Sequence, residues 1–133
     1  MYTIKKEFCF SAGHRLTELP PEHPCSKIHG HNYVVTMELK SKTLDRVGMV
    51  MDYRRLESVK QYIDSALDHK LLNDVLPFNP TAENIAMYIY ELFKETIPYL
   101  TAVEVSETPK TTARYEQDDK SLENADKAVT SQE

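Results

Sequence analysis

Two stretches of the chain alternate apolar and polar residues with a period of two, and they confine the fold more than any other feature. Tyr2, Ile4, Phe8, Phe10 and Ala12 share one parity, while Thr3, Lys5, Glu7 and Ser11 take the other. From His31 to Lys40 the alternation returns, with Tyr33, Val35, Met37 and Leu39 against Thr36, Glu38 and Lys40. Successive side chains of a strand point to opposite faces, so each stretch predicts a strand with one buried face. Lys6 interrupts the first pattern, which puts its start at a sheet edge. Residues 15–28 hold Pro20, Pro21 and Pro24 and are too irregular for an element. The two strands are expected to pair antiparallel.

Further along, the period changes. Leu56, Val59, Ile63, Ala66 and Leu67 follow the spacing of an amphipathic helix, with Asp52 placed to cap its first turn. After Pro77-Phe78-Asn79-Pro80, Thr81 caps a second predicted helix, with Ile85, Ile89, Leu92 and Phe93 inward and Pro98 as its stop. Val103, Val105 and Glu107 alternate against Glu104, Ser106 and Thr108 in a third strand, and Thr111 to Tyr115 makes a fourth. The order ββααββ predicts an α+β domain whose antiparallel sheet carries two helices on one face.

Composition narrows the function classes. The chain has 133 residues and a formal net charge of −5, enough for one compact domain. Glu116 to Glu133 carries six acids and two lysines, so residues 1–115 are nearly neutral. The expected division is a single domain over 1–115 and an acidic, disordered tail over 116–133. No run approaches the roughly 20 apolar residues of a membrane span, and Met1 to Glu7 lacks the apolar core of a signal peptide. No basic field is present for nucleic acid. Two cysteines make no disulfide framework and point to a reducing cytoplasm. So small a domain is expected to be an oligomer if it must also carry a site.

Four of the five histidines lie between residues 14 and 31. In His29-Gly30-His31 the two imidazoles, at i and i+2 of an extended segment, point to one side. They continue the parity of Tyr33, Val35 and Met37, and His14 continues that of Phe8, Phe10 and Ala12. The three rings thus extend the apolar faces of neighbouring strands. Three neutral imidazoles with one open position is the pattern of a catalytic zinc site, although imidazole accepts other divalent ions. Scattered histidines satisfied by local hydrogen bonds are the alternative. His23, among prolines, reads as a surface residue.

Three further positions carry chemistry. Cys25 sits in the irregular Pro24-Cys25-Ser26-Lys27 segment, where a thiol near a cation can act as base or nucleophile; it is otherwise an inert or metal-ligating thiol. Cys9, between Phe8 and Phe10, reads as a packing residue. Asp68-His69 follows the first helix. Neighbours at i and i+1 do not face each other within a helix, so the carboxylate can orient the imidazole only if the helix ends there. Failing that, the pair is a solvated helix end. Glu107 falls on the side of Val103 and Val105, where a carboxylate needs a partner. A planar ligand edge with two N–H donors would serve, as would a Lys or Arg.

These residues resemble one family. Phe10-Ser11-Ala12-Gly13-His14-Arg15 and Cys25-Ser26-Lys27-Ile28-His29-Gly30-His31 are similar to motifs of the 6-pyruvoyltetrahydropterin synthase family. Met51-Asp52-Tyr53, Leu67-Asp68-His69, Asn79-Pro80-Thr81-Ala82-Glu83-Asn84 and Val105-Ser106-Glu107-Thr108 follow in the same order. The short interval between Cys25 and His29 resembles the bacterial 6-carboxytetrahydropterin synthase branch, which serves queuosine synthesis. The resemblance implies a tunnelling fold (T-fold) assembling through its sheets into a barrel, commonly a hexamer. It implies Zn2+ on His14, His29 and His31, Cys25 as proton-transfer catalyst, and Asp68 with His69 as the opposing acid–base pair, possible across a subunit boundary. Glu107 would anchor the pterin ring. The implied reaction converts 7,8-dihydroneopterin triphosphate to 6-carboxytetrahydropterin with loss of acetaldehyde and triphosphate. The alternatives are triphosphate elimination alone, giving 6-pyruvoyltetrahydropterin, and a pterin-binding zinc module without turnover. Lys27, Lys110 and Arg114 are candidates to meet the triphosphate.

Overall fold

The computed structural model describes residues 1–118, so most of the acidic tail lies outside the described residues. Four strands, β1 (Tyr2–His14), β2 (His29–Ser41), β3 (Leu100–Thr108) and β4 (Thr111–Glu116), form one antiparallel sheet in chain order. Pairing of β1 with β2 runs unbroken from Tyr2↔Ser41 to His14↔His29. The alternation explains it, because a one-residue slip would turn Phe8, Phe10, Tyr33, Val35, Met37 and Leu39 out of the core. All six are buried. As expected, β1 is an edge strand.

The helical connection between β2 and β3 covers one face. Its first part is one continuous segment with changing hydrogen-bond pattern, a 3-10 turn (Tyr53–Leu56), α1 (Glu57–Tyr62) and a π turn (Ile63–Leu67). Asp52 caps it by accepting from Arg54 N at 2.9 Å, and Leu56, Val59, Ile63 and Leu67 are buried. The short α2 (Leu72–Val75) has no counterpart in the sequence expectation; four residues are too few to show a period. Helix α3 (Ala82–Phe93) starts at Thr81, whose hydroxyl accepts from Asn84 N at 3.1 Å.

Two details differ from expectation. Leu92 is 41% exposed, since the buried stripe of α3 is closed by Ile85, Ala86, Ile89, Tyr90 and Phe93. The helix also ends at Phe93, before Pro98, because the Phe93 carbonyl accepts from Thr96 N and Ile97 N and draws the last turn closed.

On the helix-free face a charge cluster spans all four strands. Arg114 Nη1 donates to Glu38 Oε1 at 3.1 Å and Arg114 Nη2 to Glu38 Oε2 at 2.5 Å. Arg114 Nε donates to Glu116 at 3.1 Å, and Lys5 Nζ lies 3.6 Å from Glu38. Glu38 is only 3% exposed, and hydrogen bonding to Arg114 holds its carboxyl below the usual range. This contribution is present above the unfolded carboxyl value and lost as pH falls through the lower folded one. Arg114→Met is expected to cost about 2–3 kcal/mol, read by urea denaturation at pH 7, with the gap from wild type narrowing as pH falls. Equal stability at pH 7 would show that Lys5 alone satisfies Glu38.

Candidate metal centre and acid–base pair

The register that pairs Ala12 with His31 and His14 with His29 gathers the three imidazoles on the helix side of the sheet. Ring centroids lie 4.6–5.0 Å apart in edge-on arrangements. His14, 1% exposed, has its Nδ1 2.8 Å from the Pro80 carbonyl, just before α3. His29 Nδ1 lies 2.7 Å from the Lys27 carbonyl. A carbonyl only accepts, so both Nδ1 atoms carry the proton and both Nε2 atoms present lone pairs.

Those two Nε2 atoms are 3.0 Å apart. Burial lowers the pKa of His14 and disfavours a proton shared between them, so the lone pairs repel. His31 Nε2 is buried with no hydrogen-bond partner among the described residues. One donor atom from each histidine falls within 4.8 Å of the others. Facing lone pairs and an orphaned nitrogen are relieved together by a cation at the point of convergence. The three histidines can hold a metal ion.

Glu107 stands beside them, as parity predicts, with Oε2 3.7 Å from His31 Nε2, beyond hydrogen-bond range. Among the described residues no Lys or Arg pairs with it. It borders a cavity of about 190 Å3 with Leu16, Thr81, Val105 and Ala113.

The helix does end before Asp68. Asp68 is extended (φ −66°, ψ 132°) and His69 takes a positive φ of 59°. This turn lets neighbours in sequence meet, with His69 Nδ1 2.8 Å from Asp68 Oδ2. Strand β1 holds both. Ser11 N donates to Asp68 Oδ1 at 2.9 Å, and His69 N donates to the Ser11 carbonyl at 2.6 Å. The Ser11 amide and the His69 ring keep the Asp68 carboxyl below its usual range. The His69 side chain is 82% exposed and opens on a depression of about 480 Å3 lined by Ser11, Gly13, Gly30, Asn32 and Lys70. Among the described residues, no hydrogen bond or ion pair joins this pair to the three histidines of the same chain.

Cys25 is partly exposed on a 3-10 turn (Pro24–Ser26). Its carbonyl accepts from Leu16 N at 2.7 Å, tying the turn to the end of β1. His23 is exposed but structural, its Nδ1 accepting from Cys25 N at 3.1 Å. Cys9 is exposed on the helix-free face instead of packed, because that face has no covering layer in the single chain. Of the three cations near the motifs, Arg114 is bound to carboxylates on the same face, whereas Lys27 and Lys110 are exposed.

Known proteins share this sequence pattern and fold. The family model for 6-pyruvoyl tetrahydropterin synthase matches residues 3–118. The chain belongs to that family. A 6-carboxy-5,6,7,8-tetrahydropterin synthase of Synechocystis is 40% identical over 125 residues, 86% of this chain and 93% of that protein. A protein of the same name from Rickettsia bellii is 30% identical over 125 residues, 75% of this chain and 89% of its own. The solved 6-pyruvoyl tetrahydropterin synthase of Caenorhabditis elegans superposes with a TM-score of 0.77 at 29% identity, covering 88% of this chain and 96% of that one. The family carries the T-fold, and its members are enzymes. No helix among the described residues is long and apolar enough to cross a membrane.

Proposed function

We propose that the protein is a zinc-dependent lyase that converts 7,8-dihydroneopterin triphosphate and water to 6-carboxy-5,6,7,8-tetrahydropterin, acetaldehyde and triphosphate, in queuosine synthesis. The observation that carries the reading is the 40% identity to the Synechocystis protein of that name across nearly all its length. The short interval between Cys25 and His29 supports it against triphosphate elimination alone.

His14, His29 and His31 would hold the zinc, which supplies Lewis acidity toward a side-chain hydroxyl of the substrate. Glu107 accepts the paired N–H donors of the pterin edge and fixes the ring. Cys25 and His69 move protons during the rearrangement, with Asp68 holding the His69 tautomer. The reducing equivalents stay within the substrate: the side chain is oxidised to a carboxylate while the ring is reduced. Among the described residues no hydrogen bond or ion pair joins the Asp68–His69 pair to the histidines of its own chain, and this supports an oligomer in which a neighbouring chain completes each site. We assign the protein to the cytoplasm on its two free cysteines.

Incubation with 7,8-dihydroneopterin triphosphate, followed by mass spectrometry, should give 6-carboxytetrahydropterin with one equivalent of acetaldehyde. A 6-pyruvoyl product without acetaldehyde selects the elimination reading. Unchanged substrate selects the binding module.

A further inference from the structure

Tyr33 is fully buried, yet its hydroxyl has no hydrogen-bond partner among the described residues. Its ring stacks on Phe10 at 4.7 Å and 4° and meets the rings of His14 and His31 edge-on at 5.9 and 5.5 Å. A phenylalanine ring would make each of those contacts. The oxygen therefore adds only a desolvated donor, and a buried donor without a partner is a net cost.

Its surroundings indicate a partner. The β2–β3 register runs Val35↔Val105, Val34↔Ser106, so one further step sets Glu107 opposite Tyr33 on the helix side. Cross-strand neighbours bring their Cβ atoms to roughly 4.5–5.5 Å. Glu107 in turn has His31 Nε2 at 3.7 Å, beyond hydrogen-bond range, and its carboxylate accepts no hydrogen bond among the described residues.

We infer that Tyr33 is a positioning residue for Glu107: the two make no hydrogen bond in the structure, and with a ring bound the carboxylate turns its inner side to the orphaned hydroxyl, which donates to it and aims the outer lone pairs at the paired N–H donors of the ring. A carboxylate offers about four acceptor positions, so one inner donor leaves about three, enough for the two donors of the ligand edge. Without it Glu107 would have no fixed rotamer once His31 is committed to a metal. The inference rests on the reading of Glu107 as the pterin anchor.

The test is a double-mutant cycle on zinc-loaded protein, with neopterin as probe and its fluorescence as readout. Glu107→Gln alone tests the anchor and should weaken binding at least tenfold, since an acceptor becomes a donor facing donors. Tyr33→Phe should weaken neopterin binding roughly tenfold, with zinc content unchanged and the melting temperature unchanged or higher. In the Glu107→Gln background the Tyr33→Phe effect should fall below about twofold. If Glu107→Gln weakens binding and Tyr33→Phe does not, the positioning role is wrong and the anchor stands. Equal losses from Tyr33→Phe in both backgrounds also overturn it. If Glu107→Gln itself leaves affinity unchanged, the anchor reading fails and the inference with it.

Discussion

His29→Ala is expected to empty the metal centre. The His29 ring is fixed by its Nδ1 bond to the Lys27 carbonyl, and its Nε2 is the closest neighbour of His14 Nε2. A metal ion held with roughly 10–16 kcal/mol of apparent binding energy loses about a third of it when one of three ligands goes. That is about 4 kcal/mol, or a roughly thousandfold weaker site. Elemental analysis of protein purified without added metal should show about one zinc per chain in wild type and almost none in the variant. His69→Ala, outside the cluster, should keep its zinc. Because bound metal stabilises only the folded state, added zinc should raise the melting temperature of wild type and not that of His29→Ala. Full occupancy in His29→Ala would remove it from the ligand set.

The histidine cluster was legible in the sequence because a strand transmits sidedness: parity put His14, His29 and His31 on the apolar faces of their strands and Glu107 on that of its own, and the pairing of β2 with β3 brings Glu107 to His31. What parity does not carry is the identity of the atoms that orient the rings. The Pro80 and Lys27 carbonyls belong to the backbone, and any residue at those positions would offer the same oxygen. The same blindness applies to Tyr33, whose ring satisfies the apolar pattern while its hydroxyl, invisible to that pattern, meets no partner.

Helical sidedness transmits less well. Leu92 and Phe93 both fit an inward stripe by spacing, but the contact of α3 with the sheet is already filled by Ile89, Tyr90 and Phe93. The segment from Tyr53 to Leu67 passes through three hydrogen-bond patterns because its apolar positions must reach one surface while its end is drawn toward β1. That pull comes from Ser11, 57 residues away from Asp68 in sequence, and no local window contains it. The pairing of Arg114 with Glu38 was out of reach for a related reason, as the two lie 76 residues apart.

Asp68→Asn is the change expected to separate chemistry from architecture. Asp68 uses its two oxygens differently: Oδ1 accepts from Ser11 N, and Oδ2 faces His69 Nδ1. Asparagine can keep the first bond through its carbonyl oxygen. Its amide nitrogen then faces His69 Nδ1, which must become an acceptor, so the ring proton moves to Nε2. The imidazole is left in the wrong tautomer to take a proton at its exposed nitrogen. An equivalent change in a buried carboxylate–imidazole pair costs about 10⁴ in kcat with geometry intact. Here the pair is more open, and His69 is 82% exposed, so a fall of roughly 10³ is expected. Zinc content, neopterin affinity and KM should stay near wild type, because neither the three histidines nor Glu107 touches the altered atom. Asp68→Ala, which also releases Ser11, should add a loss of order in the turn at His69, seen as faster amide exchange at His69 N. A kcat for Asp68→Asn above about a tenth of wild type would show that the carboxylate anchors the turn and does not orient the base.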